Sequence, residues 1–367
     1  MQYQTNFKLL LSFVAVLLAS VAFGQQDPYY SFNMFNRLTY NPGFAGGDKP
    51  GYTCITMTSK KQWFGVTPPK NDPDFTSGTP TFENLNVTIP ITKYAKDGSA
   101  PYIKHGIGIS VENDKLGVET GLNFTLAYAF KLRLPNEQSL SFGPSVGMLQ
   151  KSHDGEKLTT FSQMVNNIMD PNVPNSLVKG IKPDFNFGVY YSKQNIGKYS
   201  NCYAGIGIRH LVEADIEYDL GPSIGGASFW QMRRNIYIHA GCEKGIGNNT
   251  LQPSVMIRSD QTKMQLELNA NYLIEDKYWA GVSYRHGTMF TKNFNLDAIV
   301  LQGGMKFPKQ NLKAGLAYDA TLNRMSKIGG YNTSYGSVEI MVQYCFKPKT
   351  TYNPRIFRDT RRLDGWH

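Results

Sequence analysis

Beyond the run Leu9–Ala22 the chain has no apolar stretch long enough to cross a bilayer as a helix, so helical membrane spanning is excluded downstream of it. Leucine-rich helical periodicity is equally scarce. The four cysteines, Cys54, Cys202, Cys242 and Cys345, form no C-x-x-C, which argues against a zinc or redox site. Histidines 105, 153, 210, 239 and 286 are scattered, with no H-E-x-x-H and no i, i+4 pair to hold a metal. The net charge of +10 comes without a dense basic run interleaved with aromatics, so no nucleic-acid partner is expected. Gly106-Ile107-Gly108 and Gly205-Ile206-Gly207 lack the context of a dinucleotide fingerprint, and no cofactor is expected. In a strand such glycines allow bending or the close approach of another backbone.

What is present is alternation. In Lys263–Tyr272, Met264, Leu266, Leu268, Ala270 and Tyr272 share one face, while Lys263, Gln265, Glu267, Asn269 and Asn271 share the other. Leu122–Arg133 and Ser337–Phe346 repeat the pattern. About fourteen such strands are predicted between Tyr52 and Phe346. A closed barrel gives every greasy face to lipid and leaves no unpaired edge. The expected fold class is therefore all-β, a transmembrane antiparallel β-barrel with periplasmic termini and long extracellular loops. The connections support this orientation. Pro135–Glu137, Glu275–Lys277 and Pro308–Asn311 are short and fall on one side; Gln62–Pro80, Ser152–Pro183 and Glu213–Arg234 are long and fall on the other. Asp114–Val118 and Ser259–Thr262 depart from it by being short, and Thr92–Lys104 by being long. Tyr52, Trp63, Tyr278, Trp279 and Tyr335 near strand ends suggest aromatic girdles at headgroup level.

The organisation expected is a cleaved signal peptide over 1–24, an N-terminal segment over 25–50, the barrel over 51–346 and a basic periplasmic tail over 347–367. Lys8, the apolar run and Ala22-Phe23-Gly24 supply the parts of the signal. The 25–50 segment does not alternate, and either lines the periplasmic mouth or enters the lumen as a plug. The cysteines read as small apolar strand residues, because nothing in their spacing pairs them. Two G-x-S-x-G matches, Gly143–Gly147 and Gly221–Gly225, lack the strand, sharp turn and helix of a nucleophile elbow, so no enzyme is expected.

Four stretches resemble the PorP/SprF membrane proteins of the type IX secretion and gliding machinery of Bacteroidetes. They are Tyr40-Asn41-Pro42-Gly43-Phe44-Ala45-Gly46 with its preceding Gln26–Pro28 and Ser31–Asn36; Lys61-Gln62-Trp63-Phe64-Gly65; Gly106–Gly108 through Asp114–Gly117; and Tyr352-Asn353-Pro354-Arg355-Ile356-Phe357. Gly43 stands where that family usually has alanine, and the loop after Trp63 looks longer than usual. The resemblance implies an outer-membrane, non-enzymatic component that supports secretion or surface attachment of a partner protein with a C-terminal sorting domain, such as an adhesin. It also implies contact with a periplasmic ring lipoprotein, made by the N-terminal segment and the basic tail, besides outer-membrane lipid. The signature or partner-contact residues it points to are Asn41, Pro42, Ala45, Gly46, Gln62, Trp63, Gly65, Asn353, Pro354 and Arg355. The barrel pattern alone would equally suit a passive diffusion channel.

Overall fold

Alternating side chains and short turns build sixteen strands in the computed structural model. It describes residues 27–47, 51–64, 79–91, 103–157, 161–166, 176–218, 228–260, 263–287, 295–322 and 335–346. The strands are β1 Thr53–Lys61, β2 Thr81–Ile91, β3 Ile103–Leu116, β4 Glu119–Leu134, β5 Gln138–Asp154, β6 Leu177–Ile196, β7 Tyr199–Arg209 and β8 Ala214–Tyr218. They continue as β9 Ser228–Met232, β10 Asn235–Ile246, β11 Asn249–Ser259, β12 Met264–Ile274, β13 Tyr278–Gly287, β14 Asn295–Phe307, β15 Leu312–Thr321 and β16 Ser337–Phe346. Fourteen close into an antiparallel barrel, β1–β7 followed by β10–β16, with β1 paired to β16. We call the end where β1 begins and β16 finishes the terminal end, and the opposite one the loop end.

The alternation turns the molecule inside out relative to a soluble protein. Leu122, Phe124, Leu126 and Tyr128 stand exposed on the outside of β4, while Asn123, Ala127 and Ala129 are buried on the inside. On β12 Leu268 is exposed and Glu267, Asn269 and Asn271 are buried. Among the described residues no helix is long and apolar enough to cross a membrane. Leu116 and Glu119 are joined through Gly117 at φ 61°, a left-handed turn that only glycine adopts without strain, which is why the Asp114–Val118 connection is short. Tyr278 and Tyr335 are exposed as a girdle requires. Trp279 is not: its strand parity turns it into the lumen, so its expected girdle position is corrected.

The long connection after β7 holds an element that alternation over so short a span did not announce. Strands β8 and β9 form a separate hairpin. Its Ile216, Trp230 and Met232 pack on Leu149 of β5, with Val178 of β6 alongside. Strand β6 has 20 residues, roughly 65 Å of extended chain, and so rises well above an apolar band of about 25 Å even when tilted.

The reading of the cysteines as plain apolar residues is overturned. Cys54 pairs with Cys345 and Cys202 with Cys242, as disulfides. Sequence spacing could not pair them, because the partners are 291 and 40 residues apart and meet only through strand register. The first bond ties the first strand to the last at the terminal end, closing the seam covalently. Replacing both Cys54 and Cys345 with serine is expected to destabilise the barrel by about 2–4 kcal/mol. The check is the denaturant midpoint of the folded band on a non-reducing, unboiled gel, which should fall for the variant and for reduced wild type alike.

Candidate functional site

The lumen is filled by the chain's own N-terminal segment. Asp27 lies at the loop end beside Arg209, and the chain then descends towards the terminal end, where Gly46 N donates to the Ile107 carbonyl (3.2 Å) before β1 begins. Of the two places expected for this segment, its described residues 27–47 occupy the lumen, with Tyr30–Phe32, Leu38–Tyr40 and Ala45 buried inside.

Local chemistry shapes the lower half of the plug. A single helical turn, α1 at Arg37–Tyr40, gives way to a 3-10 turn at Pro42–Phe44. Asn41 is extended, and its Oδ1 accepts from Gly43 N (2.9 Å), capping the turn that Pro42 begins. The same side chain's Nδ2 donates to the Val189 carbonyl on β6 (2.9 Å) and meets His239 Nε2 on β10 (3.1 Å). Ser141 Oγ donates to the Gly43 carbonyl and Lys131 Nζ to the Gly47 carbonyl, both at 2.7 Å. Arg37 stacks 4.0 Å over the Tyr203 ring and donates to Tyr190 Oη (2.8 Å).

The wall is carved to receive this segment. A Cβ on Gly106 would overlap Ala45, one on Gly143 would overlap Pro42 and Gly43, and one on Gly207 would overlap the Tyr40 carbonyl. The strand glycines therefore serve close backbone approach. That accounts for the first G-x-S-x-G match: Gly143 makes room for the plug. Ser145, with no hydrogen-bond partner among the described residues, lines the same wall as Leu38 and Pro42. The second match lies outside the described residues. The void bounded by Leu38, Pro42, Gly108 and Ser145 measures about 10 Å³, roughly room for one water.

The upper half is held by charge. Ser31 N and Phe32 N both donate to the Glu339 carboxylate (2.5 and 3.1 Å), and Ser31 Oγ donates to Asp319 (2.5 Å). Lys60 and Arg285 bind Asp319 from two sides (2.7 and 2.9 Å), and Arg285 Nε also reaches Glu267 (3.0 Å). Tyr29 sits among three cations, Lys60, Arg258 and Arg285, at 4.3–4.6 Å, and its hydroxyl accepts from Gln62 Nε2 (2.7 Å). Phe32 packs edge-on against Trp279 at 5.6 Å. Buried charges left unpaired would be prohibitive, so the network must be satisfied as a unit.

Asp27 forms the second network. It accepts from Tyr237 Oη (2.8 Å) and lies 3.0 Å from His210 Nε2 and 3.4 Å from Arg209. His210 Nδ1 meets Asp184 at 2.8 Å, and Arg209 binds Glu112 at 2.5 Å. Burial alone would lower the His210 pKa; the Asp27 and Asp184 carboxylates outweigh it and push it up to about 9. Burial likewise raises Asp27, yet Arg209 and His210 hold it well below the usual carboxylate range. The raised His210 pKa contributes stability in full below about 6.5 and loses it as pH climbs through about 9. Asp27 contributes above about 4 and loses it on acidification. Protease access to the plug is therefore expected to stay low at neutral pH and to rise above pH 9, and His210→Gln should abolish the alkaline step.

The expected site residues separate accordingly. Asn41, Pro42, Ala45 and Gly46 are brought together inside the lumen, and Gln62 reaches the plug from above. Trp63 takes a left-handed backbone (φ 51°), with its N–H donating to Ser337 Oγ (3.3 Å), so the seam rather than the plug receives it. Gly65, Asn353, Pro354 and Arg355 lie outside the described residues, as do the signal region and the basic tail. Sequence reasoning missed Lys60, Glu112, Arg209, Glu267, Arg285, Asp319 and Glu339. Their signal was available: each is a charged residue on the polar face of a strand, near its loop end. Among the described residues no group of three or more His, Cys, Asp or Glu side chains is placed to hold a metal ion.

The sequence matches the family model described as type IX secretion system membrane protein PorP/SprF over residues 22–344. No curated protein matches it. Among solved structures the fold is similar to CdiB from Acinetobacter baumannii, at 8% identity and a TM-score of 0.40, covering 81% of this chain and 60% of that one. It is similar to the CymD monoaromatic hydrocarbon channel at 10% identity and a TM-score of 0.47, covering 89% and 95%. The Ralstonia pickettii toluene transporter TbuX shows the same identity and TM-score, covering 85% and 93%.

Proposed function

We propose that this chain, which belongs to the PorP/SprF family of type IX secretion system membrane proteins, is a non-enzymatic partner-holding component of that machinery. It is a multi-pass β-barrel of the outer membrane, and its terminal end faces the periplasm in this reading, with the long connections at the cell surface. Its client is a secreted adhesin or another protein with a C-terminal sorting domain, held by the long loops and supporting surface display or gliding. A periplasmic ring lipoprotein is met from below, with the basic tail and its Asn353-Pro354-Arg355 as contact. Residues 1–24 act as a cleaved signal peptide. The observation that carries the reading is the family match along nearly the whole chain.

The rival reading, a passive channel, draws on the barrel alone. The plug speaks against it, since residues 30–45 occupy the space through which solute would pass. Affinity isolation from detergent-solubilised outer membranes, with an unrelated barrel as control, tests the proposal. Selective recovery of a sorting-domain protein or a ring lipoprotein is the expected result. Recovery of the barrel alone, under conditions that keep another secretion complex whole, would overturn it.

A further inference from the structure

The two ends of the plug lie at opposite mouths of the barrel. Its far end is at the terminal end, where Lys131 Nζ donates to the Gly47 carbonyl (2.7 Å) and β1 begins at Thr53. Asp27, at its near end, is held at the loop end. It is bound by Arg209, which ends β7, by His210, which follows it, and by Tyr237, near the loop-end start of β10. A void of about 10 Å³ beside Asp27 is lined also by Asp260 and the exposed Lys263, from the turn that joins β11 to β12. Asp27 therefore stands at rim level there. The wall is low at this point, since β11 and β12 end in a tight turn while β5 and β6 run on and carry the β8–β9 hairpin.

The way back from Asp27 into the lumen is obstructed. A core of Tyr30, Tyr40, Phe82, Tyr237 and Met256 joins β2 to β11, which are seven strands apart in the ring of fourteen and so on opposite walls. Within it the Tyr40 ring lies 6.5 Å from that of Tyr30 and 5.0 Å from that of Tyr237. The void beside Asp27 has roughly the room of one water, whereas a backbone needs a passage about 5 Å across. The need to fill the lumen does not account for this course. A segment that only filled it could enter and leave by the terminal end, next to β1.

We propose that the plug threads the barrel from end to end, so that the chain ahead of Asp27 leaves past the β11–β12 turn and the processed amino terminus is displayed at the cell surface. The Asp27 cluster is then a collar around the emerging chain. The partner that can grip this end of the plug is a protein at the surface, not machinery beneath the barrel. The inference rests on the proposed function for the orientation of the barrel and the removal of residues 1–24; the threading rests on the contacts above.

The test is labelling of added cysteines in the full-length protein with a membrane-impermeant maleimide carrying polyethylene glycol, read as a gel shift on intact cells and again after lysis. Lys263→Cys marks the loop end, and Lys309→Cys, in the turn between β14 and β15, marks the terminal end; both positions are exposed. On intact cells Gln26→Cys is expected to react within about twofold of Lys263→Cys and at least about tenfold more than Lys309→Cys. An epitope inserted between Gln26 and Asp27, detected by antibody on intact cells, covers the case in which an added thiol exchanges with the native disulfides. Reaction of Gln26→Cys only after lysis, together with Lys309→Cys, would overturn the proposal. So would its protection in the lysate, which would put residue 26 inside the lumen. Labelling of Lys309→Cys but not Lys263→Cys on intact cells would overturn the orientation and with it the surface display; Gln26→Cys would still follow Lys263→Cys if the plug is threaded.

Discussion

Deletion of residues 27–46 is expected to convert a barrel that passes no steady current into one that conducts. The wall has fourteen strands, and a barrel of that size encloses more than its own inward side chains can fill. The difference is made up by the plug: Asn41–Gly46 against Gly106, Gly143 and Gly207 below, and Tyr29–Asn33 among the buried charges above. Without it, water enters and solvates Lys60, Arg285, Asp319 and Glu339, so their pairing is replaced by hydration and not simply lost. Single-channel recordings in planar bilayers should show at least about a tenfold rise in mean conductance over the full-length protein. Gly207→Leu gives an independent route to the same state, since its side chain would occupy the place of the Tyr40 carbonyl. Equal and steady conductance in all three proteins would show that the plug does not close the lumen, and would restore the channel reading.

The barrel itself was legible because period-two alternation survives in every wall strand and is set by one physical demand, apolar out and polar in. Alternation alone assigns strands to Thr81–Ile91 and Glu119–Leu134, the bounds that β2 and β4 take. Strand β6 runs longer than the Asp184–Ser192 that alternation assigns, because above the membrane its outer face no longer needs to be apolar and Lys179 on that face breaks the signal. The β8–β9 hairpin escaped for the same reason, being five residues a side within a long connection. At the site, Asn41–Gly46 could be singled out as a motif, but not placed. Its partners Val189, His239, Ser141 and Ile107 belong to four strands that only the closed register brings round it. The disulfides and the charge networks share that limit. Glu339 and Ser31 are 308 residues apart, and nothing local in either strand or plug anticipates their meeting.

Arg285→Met should be the most destabilising single substitution in the loop-end network. Arg285 is fully buried and binds Asp319 at 2.9 Å and Glu267 at 3.0 Å, and its guanidinium lies 4.6 Å over the Tyr29 ring. Its loss leaves Glu267 with Asn33 alone among the described residues, and Asp319 with Ser31 and with Lys60, which must then also serve Glu339. Removing one partner of a buried pair typically costs about 3–5 kcal/mol, because the remaining charge stays desolvated. The rim pair Lys306–Asp276 supplies the contrast. Asp276 is largely exposed there, so Lys306→Met should cost less than about 1 kcal/mol. Urea unfolding in detergent separates the two outcomes. A second comparison locates the effect: if Arg285 acts by holding the plug, then the same substitution made in the protein lacking residues 27–46 should cost far less, because water already solvates Asp319 and Glu267 there. An undiminished cost in the deleted background would mean that Arg285 braces the barrel wall independently of the plug.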